Sequence, residues 1–302
     1  MFEMSKLKFH LTDENKYFNG RQFSIEEAEF ILFGAPFDAT STYRTGSRYA
    51  PQAIRCASIN IETYSFRTLM DALDLKIHDA GDLPQTSNTE EITERISEVI
   101  SEIVEDGKIP IMIGGEHTIT YGAVKALKNI STIIFDAHMD LRDEYPMGVK
   151  ISHATVSRRI SEVLGVEKLL IMGVRATCKE EIEYAKKIGL IFKTSMEMIE
   201  KEVCEYIGKI SNERLWISID MDVLDPSIAP GVANPEPEGI NLSKLLDTLE
   251  KLVSNNRVIG FDIVEVTPAY DNGITSIVAS KIIFELACMI KNSLRNSEYT
   301  TI

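Results

Sequence analysis

The sequence predicts an α/β fold with a mostly parallel central sheet built from βαβ units, and two observations predict it. Short β-rich apolar runs recur along the chain (FILFGAP, LKIHDAG, IPIMIGG, STIIFDA, LLIMGVR, LWISID and VIGFDIVEV), and amphipathic segments separate them. No low-complexity linker, internal repeat or long charge block interrupts the alternation. A chain of 302 residues could hold two small domains, but this continuity favours a single domain over 1–302.

Helices are expected over 90–106, 178–188, 195–210, 242–254 and 275–292, where apolar residues recur three or four apart. With 44% hydrophobic and 26% charged residues the chain can bury a large core. Its net charge of −14 disfavours nucleic-acid binding, which needs a basic face, and would attract small cations or metal ions. Acidity of this kind also serves solubility alone. No apolar stretch approaches the roughly 20 residues that span a bilayer, and the N-terminus lacks a signal-peptide core, so a cytoplasmic protein without membrane contact is expected. Cys56, Cys178, Cys204 and Cys288 form no CxxC pair and read as buried free thiols.

In an open parallel sheet, ligands bind beyond the carboxyl ends of the strands, which directs attention to the residues just after each apolar run. IPIMIGG leads into Glu116 and His117, STIIFDA into His138 and Asp140, LWISID into Asp220 and Asp222, and VIGFDIVEV carries Glu265. Asp136, His138 and Asp140 are spaced by two, so an extended strand end would point all three to one face; Asp220 and Asp222 repeat the spacing. Four carboxylates placed together on apolar strands cannot all stay ionised without positive charge, and neither run contains Lys or Arg. Two histidines and four aspartates without a thiolate suit two borderline-hard divalent ions such as Mn²⁺. Such a pair can share carboxylates and one hydroxide that is nucleophilic near neutral pH. A lone DxD in so acidic a chain is most often a solvated turn, but the whole constellation is not.

His153 follows the loop DEYPMGVKIS and opens a helix-like segment, so it could overhang the metal site as a proton carrier without ligating. His10 and His78 read as surface or satisfied core residues. A buried Glu265 requires a cationic partner, either an arginine from another helix or a cationic group of a substrate.

The motifs GGEH at 114–117, DAHMD at 136–140, SHATV at 152–156, SIDMDVLDPSIAPG at 218–231 and Glu265–Val266 follow one another as in the ureohydrolases, and the chain closely resembles that family of arginases, agmatinases and guanidinobutyrases. The match begins near PFDATSTYRTGSRYAPQAIR at 36–55 and runs to the final helix. The resemblance implies a single doubly wound, arginase-like domain with helices on both faces of the sheet. It implies two Mn²⁺ per chain, one held by His117, Asp136, Asp140 and Asp220, the other by Asp136, His138, Asp220 and Asp222. It further implies hydrolysis of a guanidinium to urea and an amine, with Asp140 relaying a proton, His153 exchanging protons with solvent, and Glu265 and His153 holding the cationic guanidino substrate. A trimeric or hexameric homo-oligomer is the assembly that the resemblance implies.

Two departures bear on the substrate. Arg142 and DEYPMGVKI replace the asparagine and the loop with which arginases read the amino-acid end of arginine, which favours agmatine. Where agmatinases often carry GTGTPEPGG, this chain has GVANPEPEGI, with Asn234 and Glu238 as differences. An extra acid there would suit a longer tail such as aminopropylagmatine, whereas an inward Arg142 would accept guanidinobutyrate; Arg142 is expected instead to pair with Asp143 or Glu144 on the surface. A catalytically silent homologue, or a one-zinc hydrolase on a deacetylase-like scaffold, are the readings from other classes.

Overall fold

In the computed structural model, which describes residues 17–200 and 213–299, every apolar run named above contributes a strand. The strands are β1 (Phe30–Ala35), β2 (Tyr64–Ser65), β3 (Met70–Asp71), β4 (Ile77–Asp82), β5 (Ile109–Gly114), β6 (Ser131–Phe135), β7 (Leu169–Val174), β8 (Ile191–Thr194), β9 (Arg214–Asp220) and β10 (Arg257–Val264). Strands β2 and β3 form a small antiparallel hairpin. The other eight form one sheet in the order β4-β1-β5-β10-β9-β6-β7-β8, and every pairing in it is parallel. Parallel neighbours need crossover connections, which the amphipathic segments between the strands supply as helices.

These helices are α1 (Ala50–Ser58), α2 (Thr89–Glu105), α3 (Thr118–Lys125), α4 (Val156–Leu164), α5 (Lys179–Ile188), α6 (Ser195–Glu200), α7 (Leu242–Asn255) and α8 (Ile274–Tyr299). Both faces of the sheet are covered, because alternate strand residues enter different cores. Ile111 and Ile113 of β5 and Ile133 of β6 pack with Ile54 of α1, Leu245 and Leu249 of α7, and Ile282 and Leu286 of α8. Met112 and Ile134 pack on the opposite side with Ile96 and Ile100 of α2, Ile119 of α3, Ile160 of α4 and Ala185 of α5. Helix α2 shows how the sequence sets such an element: Asn88 caps its first turn by accepting the Glu91 N–H, and Glu90 and Glu91 favour the positive end of the helix dipole. Ile92, Ile96, Val99, Ile100 and Ile103 then form its buried stripe.

The expected helices at 90–106, 178–188, 242–254 and 275–292 match α2, α5, α7 and α8 to within a residue or two, except that α8 runs on to Tyr299. Of the expected 195–210 helix the described part is α6; the remainder, with His10 and Cys204, lies outside the described residues. Helices α1 and α3 and the short strand β8 were not anticipated. His78 is a satisfied, half-buried histidine, its Nδ1 2.7 Å from the Phe23 carbonyl. Among the described residues no helix is long and apolar enough to cross a membrane.

At the edge of the sheet, Arg55 of α1 is 1% exposed and donates through Nε and Nη2 to both carboxylate oxygens of Asp79, each at 2.8 Å, and through Nη1 to Asp82 at 2.6 Å. This fork fastens α1 to the edge strand β4. Arg55→Leu would strand Asp79 as an uncompensated buried charge, so a loss of about 3–5 kcal/mol in unfolding free energy is expected. Denaturant unfolding of the variant checks it, and a midpoint equal to wild type would show that the pair carries no net stability.

Candidate metal centre

All eight sheet strands run the same way, so their carboxyl ends share one edge, and the four central strands deliver the predicted site residues there. His117 follows β5, Glu265 follows β10, Asp220 and Asp222 end and follow β9, and Asp136, His138 and Asp140 follow β6. The segment 136–140 is not the extended strand that its spacing suggested. Strand β6 stops at Phe135, Asp136 Oδ1 accepts the His138 N–H at 2.6 Å, and Asp140 takes a left-handed backbone with φ of 51°. The short aspartate side chain bonding its own backbone two residues on makes this turn.

Asp220, Asp222 and Glu265 divide their work in the same way as Asp136. Asp220 Oδ1 accepts the Asp222 N–H at 2.9 Å, and Asp222 Oδ1 accepts the Ala137 N–H at 3.0 Å. Glu265, also left-handed with φ of 66°, accepts the His117 N–H through Oε1 at 2.7 Å. One oxygen thus fixes the loop, and the second is free to face inward. His117 Nδ1 lies 2.9 Å from Asp136 Oδ2 and 3.3 Å from the Oδ2 atoms of Asp140 and Asp220. His138 Nδ1 lies 2.9 Å from Asp222 Oδ2 and 3.5 Å from Asp136 Oδ1.

Close as they are, His117 Nδ1 and Asp136 Oδ2 are both buried without a properly directed hydrogen bond, as is Glu265 Oε2. The tautomer of His117 explains the first. Its Nε2 lies 3.1 Å from Ser218 Oγ, and Ser218 spends its own hydrogen on Asp262 at 2.6 Å. Asp262 also receives Thr120 Oγ1 at 3.0 Å and Trp216 Nε1 at 2.6 Å. Ser218 is therefore left to accept from the His117 Nε2–H, and the Nδ1 lone pair points at three carboxylate oxygens. Lone pairs facing one another in a buried space repel unless a cation sits among them.

The pKa shifts follow from the same crowding. Burial opposes charge on His117, yet the facing carboxylates of Asp136, Asp140 and Asp220 raise its pKa well above that of an ordinary histidine. Burial, reinforced by Asp136, pushes Asp140 up to about 7, and burial with Asp222 and Asp136 lifts Asp220 well above the carboxylate range. Burial also works upward on Asp136, but the adjacent imidazoles of His117 and His138 outweigh it and hold that group low. Without a cation the cluster holds together only by taking up protons. Metal ions fit in their stead: ligand atoms of His117, Asp136 and Asp140 lie within 4.8 Å of one another, as do those of Asp136, His138 and Asp222. Asp136 is common to both groups.

A cavity of about 300 Å³ opens onto this cluster and is lined in part by His153, Glu265, Arg142, Tyr145, Asn234 and Glu236. His153 sits in a 3₁₀ turn (His153–Thr155) ahead of α4, and burial, followed by the charges of His138 and His117, pushes its pKa down to about 4. Glu265 meets a backbone N–H through Oε1 and no arginine among the described residues, and burial with nearby Glu116 raises its pKa well above the carboxylate range. Arg142 does not pair with its neighbours. Asp143 engages Lys150, Arg158 and Arg159, Glu144 engages Lys150, and the Arg142 guanidinium lies 4.7 Å from the Tyr145 ring centre on the cavity wall. Glu238 is exposed and off the wall, whereas Glu236 lines it with 41% of its side chain exposed. Cys178 also lines the cavity and is only half-buried, unlike the buried thiol expected of it.

Residues 28–289 match the model of the Arginase family. The chain belongs to that family. It is 37% identical over 262 residues to an agmatinase of Pyrococcus horikoshii, covering 86% of this chain and 91% of the relative. It is 35% identical over 286 residues to an N(1)-aminopropylagmatine ureohydrolase of Thermococcus kodakarensis, covering 94% of each. The fold superposes on the agmatine ureohydrolase of Thermoplasma volcanium with a TM-score of 0.88 at 38% identity, over 97% of this chain and 99% of the other. As an arginase-family member the chain is a hydrolase of the ureohydrolase type.

Sequence reasoning missed the support around this arginase-family site. Arg175 donates to the carbonyls of Asp222, Glu236 and Pro237 at 2.6, 2.8 and 2.9 Å, tying the loop after β9 to the cavity wall. The one legible signal was Asp262, an acid inside an otherwise apolar strand. Because Ser218 fixes the His117 tautomer, Ser218→Ala is expected to weaken divalent-metal affinity about 10- to 100-fold. Equilibrium metal titration reads this directly, and an unchanged affinity would show that Nδ1 is presented by other means.

Proposed function

We propose that the chain is a binuclear manganese agmatinase that converts agmatine and water to putrescine and urea. The observation that carries this reading is Glu265 Oε2, a buried carboxylate oxygen without a partner on the wall of the cavity that opens onto the metal cluster. A guanidinium is permanently charged, and its N–H fork matches a carboxylate, so it satisfies such an oxygen as no neutral group would.

His117, Asp136, Asp140 and Asp220 would hold one ion, and Asp136, His138, Asp220 and Asp222 the other. Two Mn²⁺ held there supply a hydroxide nucleophile near neutral pH and the positive charge that the carboxylates need. Glu265 orients the guanidinium carbon toward the cluster. Asp140 takes a proton from the attacking water and passes it to the departing amine nitrogen, and His153, on the same wall and neutral in the free chain, exchanges protons with solvent. Glu236 at the cavity wall suits the distal ammonium of agmatine. The Thermococcus relative supports a second reading, in which the longer cation aminopropylagmatine is the substrate. We further propose that the enzyme works in the cytoplasm as a homotrimer or homohexamer.

Urea release with added Mn²⁺ is expected to be fastest for agmatine among agmatine, aminopropylagmatine, guanidinobutyrate and arginine, with two manganese ions per chain by elemental analysis. Preference for the longer polyamine would select the second reading, and one tightly bound zinc would defeat both.

His153→Asn is expected to keep both metal ions while turnover falls by about 10²- to 10⁴-fold, the usual cost of losing a positioned acid or base. Loss of manganese in that variant would make His153 a ligand instead, and undiminished turnover would remove it from the mechanism.

A further inference from the structure

His153 is held from behind by a chain of hydrogen bonds that starts at a wholly buried carboxylate. Glu116 is 0% exposed and meets only donors. Its Oε2 accepts the Thr40 N–H at 2.8 Å and the Ser41 hydroxyl at 3.2 Å, and its Oε1 accepts the Thr40 hydroxyl at 2.5 Å and the Thr118 hydroxyl. With four donors around two oxygens, the carboxylate is fully satisfied as an acceptor.

Thr40, 7% exposed, stands between Glu116 and His153. Its single hydroxyl hydrogen can go to Glu116 Oε1 at 2.5 Å or to His153 Nδ1 at 3.0 Å; Thr118 Oγ1, which gives its own hydrogen to Glu116, lies farther off at 3.5 Å. The charge-assisted bond is the shorter and the stronger, so the hydrogen goes to Glu116. The Thr40 oxygen is then an acceptor on its other side, where it meets the His153 backbone N–H at 3.2 Å as well as the ring.

We propose that Thr40, locked by Glu116, is a positioning residue that keeps the single ring proton of neutral His153 on Nδ1 and so leaves Nε2 as a bare acceptor toward the cavity. The Thr40 loop has little freedom to do otherwise. It is pinned beside β5 by Gly115 N–H to Ala35 O at 3.0 Å and Glu116 N–H to Phe37 O at 2.7 Å, and a Cβ on Gly115 would fall 1.7 Å from the Phe37 oxygen. Thr40 and Glu116 both act through the imidazole.

This inference rests on the reading of His153 as the proton carrier, and a double-mutant cycle separates the two. Thr40→Val keeps the side-chain shape and deletes the hydroxyl. Its turnover with agmatine is expected to fall about tenfold or more, within the limit set by losing the imidazole itself, while KM and manganese content stay near wild type. Thr40→Ser, which restores the hydroxyl, is expected to recover most of that turnover. In the His153→Asn background Thr40→Val is expected to cost nothing further. If His153→Asn is impaired but Thr40→Val retains wild-type turnover, or if the threonine change costs as much in the His153→Asn background as in wild type, the positioning role is wrong while the proton-carrier reading stands. If His153→Asn is itself fully active, the reading beneath it fails. Should Thr40→Val fold poorly in thermal unfolding, Thr40→Ser and Thr40→Ala decide: equal turnover in these two would overturn the role of the hydroxyl.

Discussion

Four aspartates and two histidines converge in a buried space where like charges repel strongly, and the rest of the site is organised around that repulsion. Two carboxylates about 4 Å apart near a protein surface already oppose each other by about 4 kcal/mol, and less solvent makes matters worse. The chain answers by committing one oxygen of Asp136, Asp220, Asp222 and Glu265 to a backbone N–H, which fixes each group in place before any cation arrives. The remaining oxygens then have one direction left to face. Preorganised repulsion of this kind is what makes a site bind a multivalent cation tightly.

A second layer acts on the orientation of the imidazoles. Asp262 with Ser218 sets the tautomer of His117, and Glu116 with Thr40 faces His153, so two buried carboxylates each speak to an imidazole through a hydroxyl. The hydroxyl makes the direction of the bond unambiguous, since it has one hydrogen to give and gives it to the charge. Arg175 performs a backbone version of the same task, gathering the carbonyls of the loops that carry Asp222 and Glu236.

The sheet and the cluster at its carboxyl ends were legible because both signals are local: β-rich apolar runs, and acids or histidines immediately after them. Helices α1 and α3 escaped because they are short, at nine and eight residues, and β8, with its four residues IFKT, lacks an apolar run. The turn at Asp136–Asp140 escaped because residue spacing alone does not reveal an aspartate that caps its own backbone. Contacts distant in sequence were beyond reach altogether. Thr40 meets Glu116 and His153 across 76 and 113 residues, and nothing in the local sequence of a threonine announces such partners. Arg142 was misplaced for the same reason: its adjacent acids were already taken by Lys150 and the two arginines of α4.

The strand order carries a temporal meaning. Strands β4, β1 and β5 form one half of the sheet and β6, β7 and β8 the other, and the two halves meet only through β9 and β10, the last strands in the chain. As the protein emerges from the ribosome, the almost wholly apolar strands β6 and β5 must wait for their inner neighbours, β6 until β9 (214–220) and β5 until β10 (257–264) has been made. During that interval the nascent chain exposes two sticky, unpaired edges, the kind of surface that chaperones shield and that otherwise recruits other strands. The same wedge completes the sheet and brings Asp220, Asp222 and Glu265 to the histidines, so the residues around the cavity come together only when the last strand is in place.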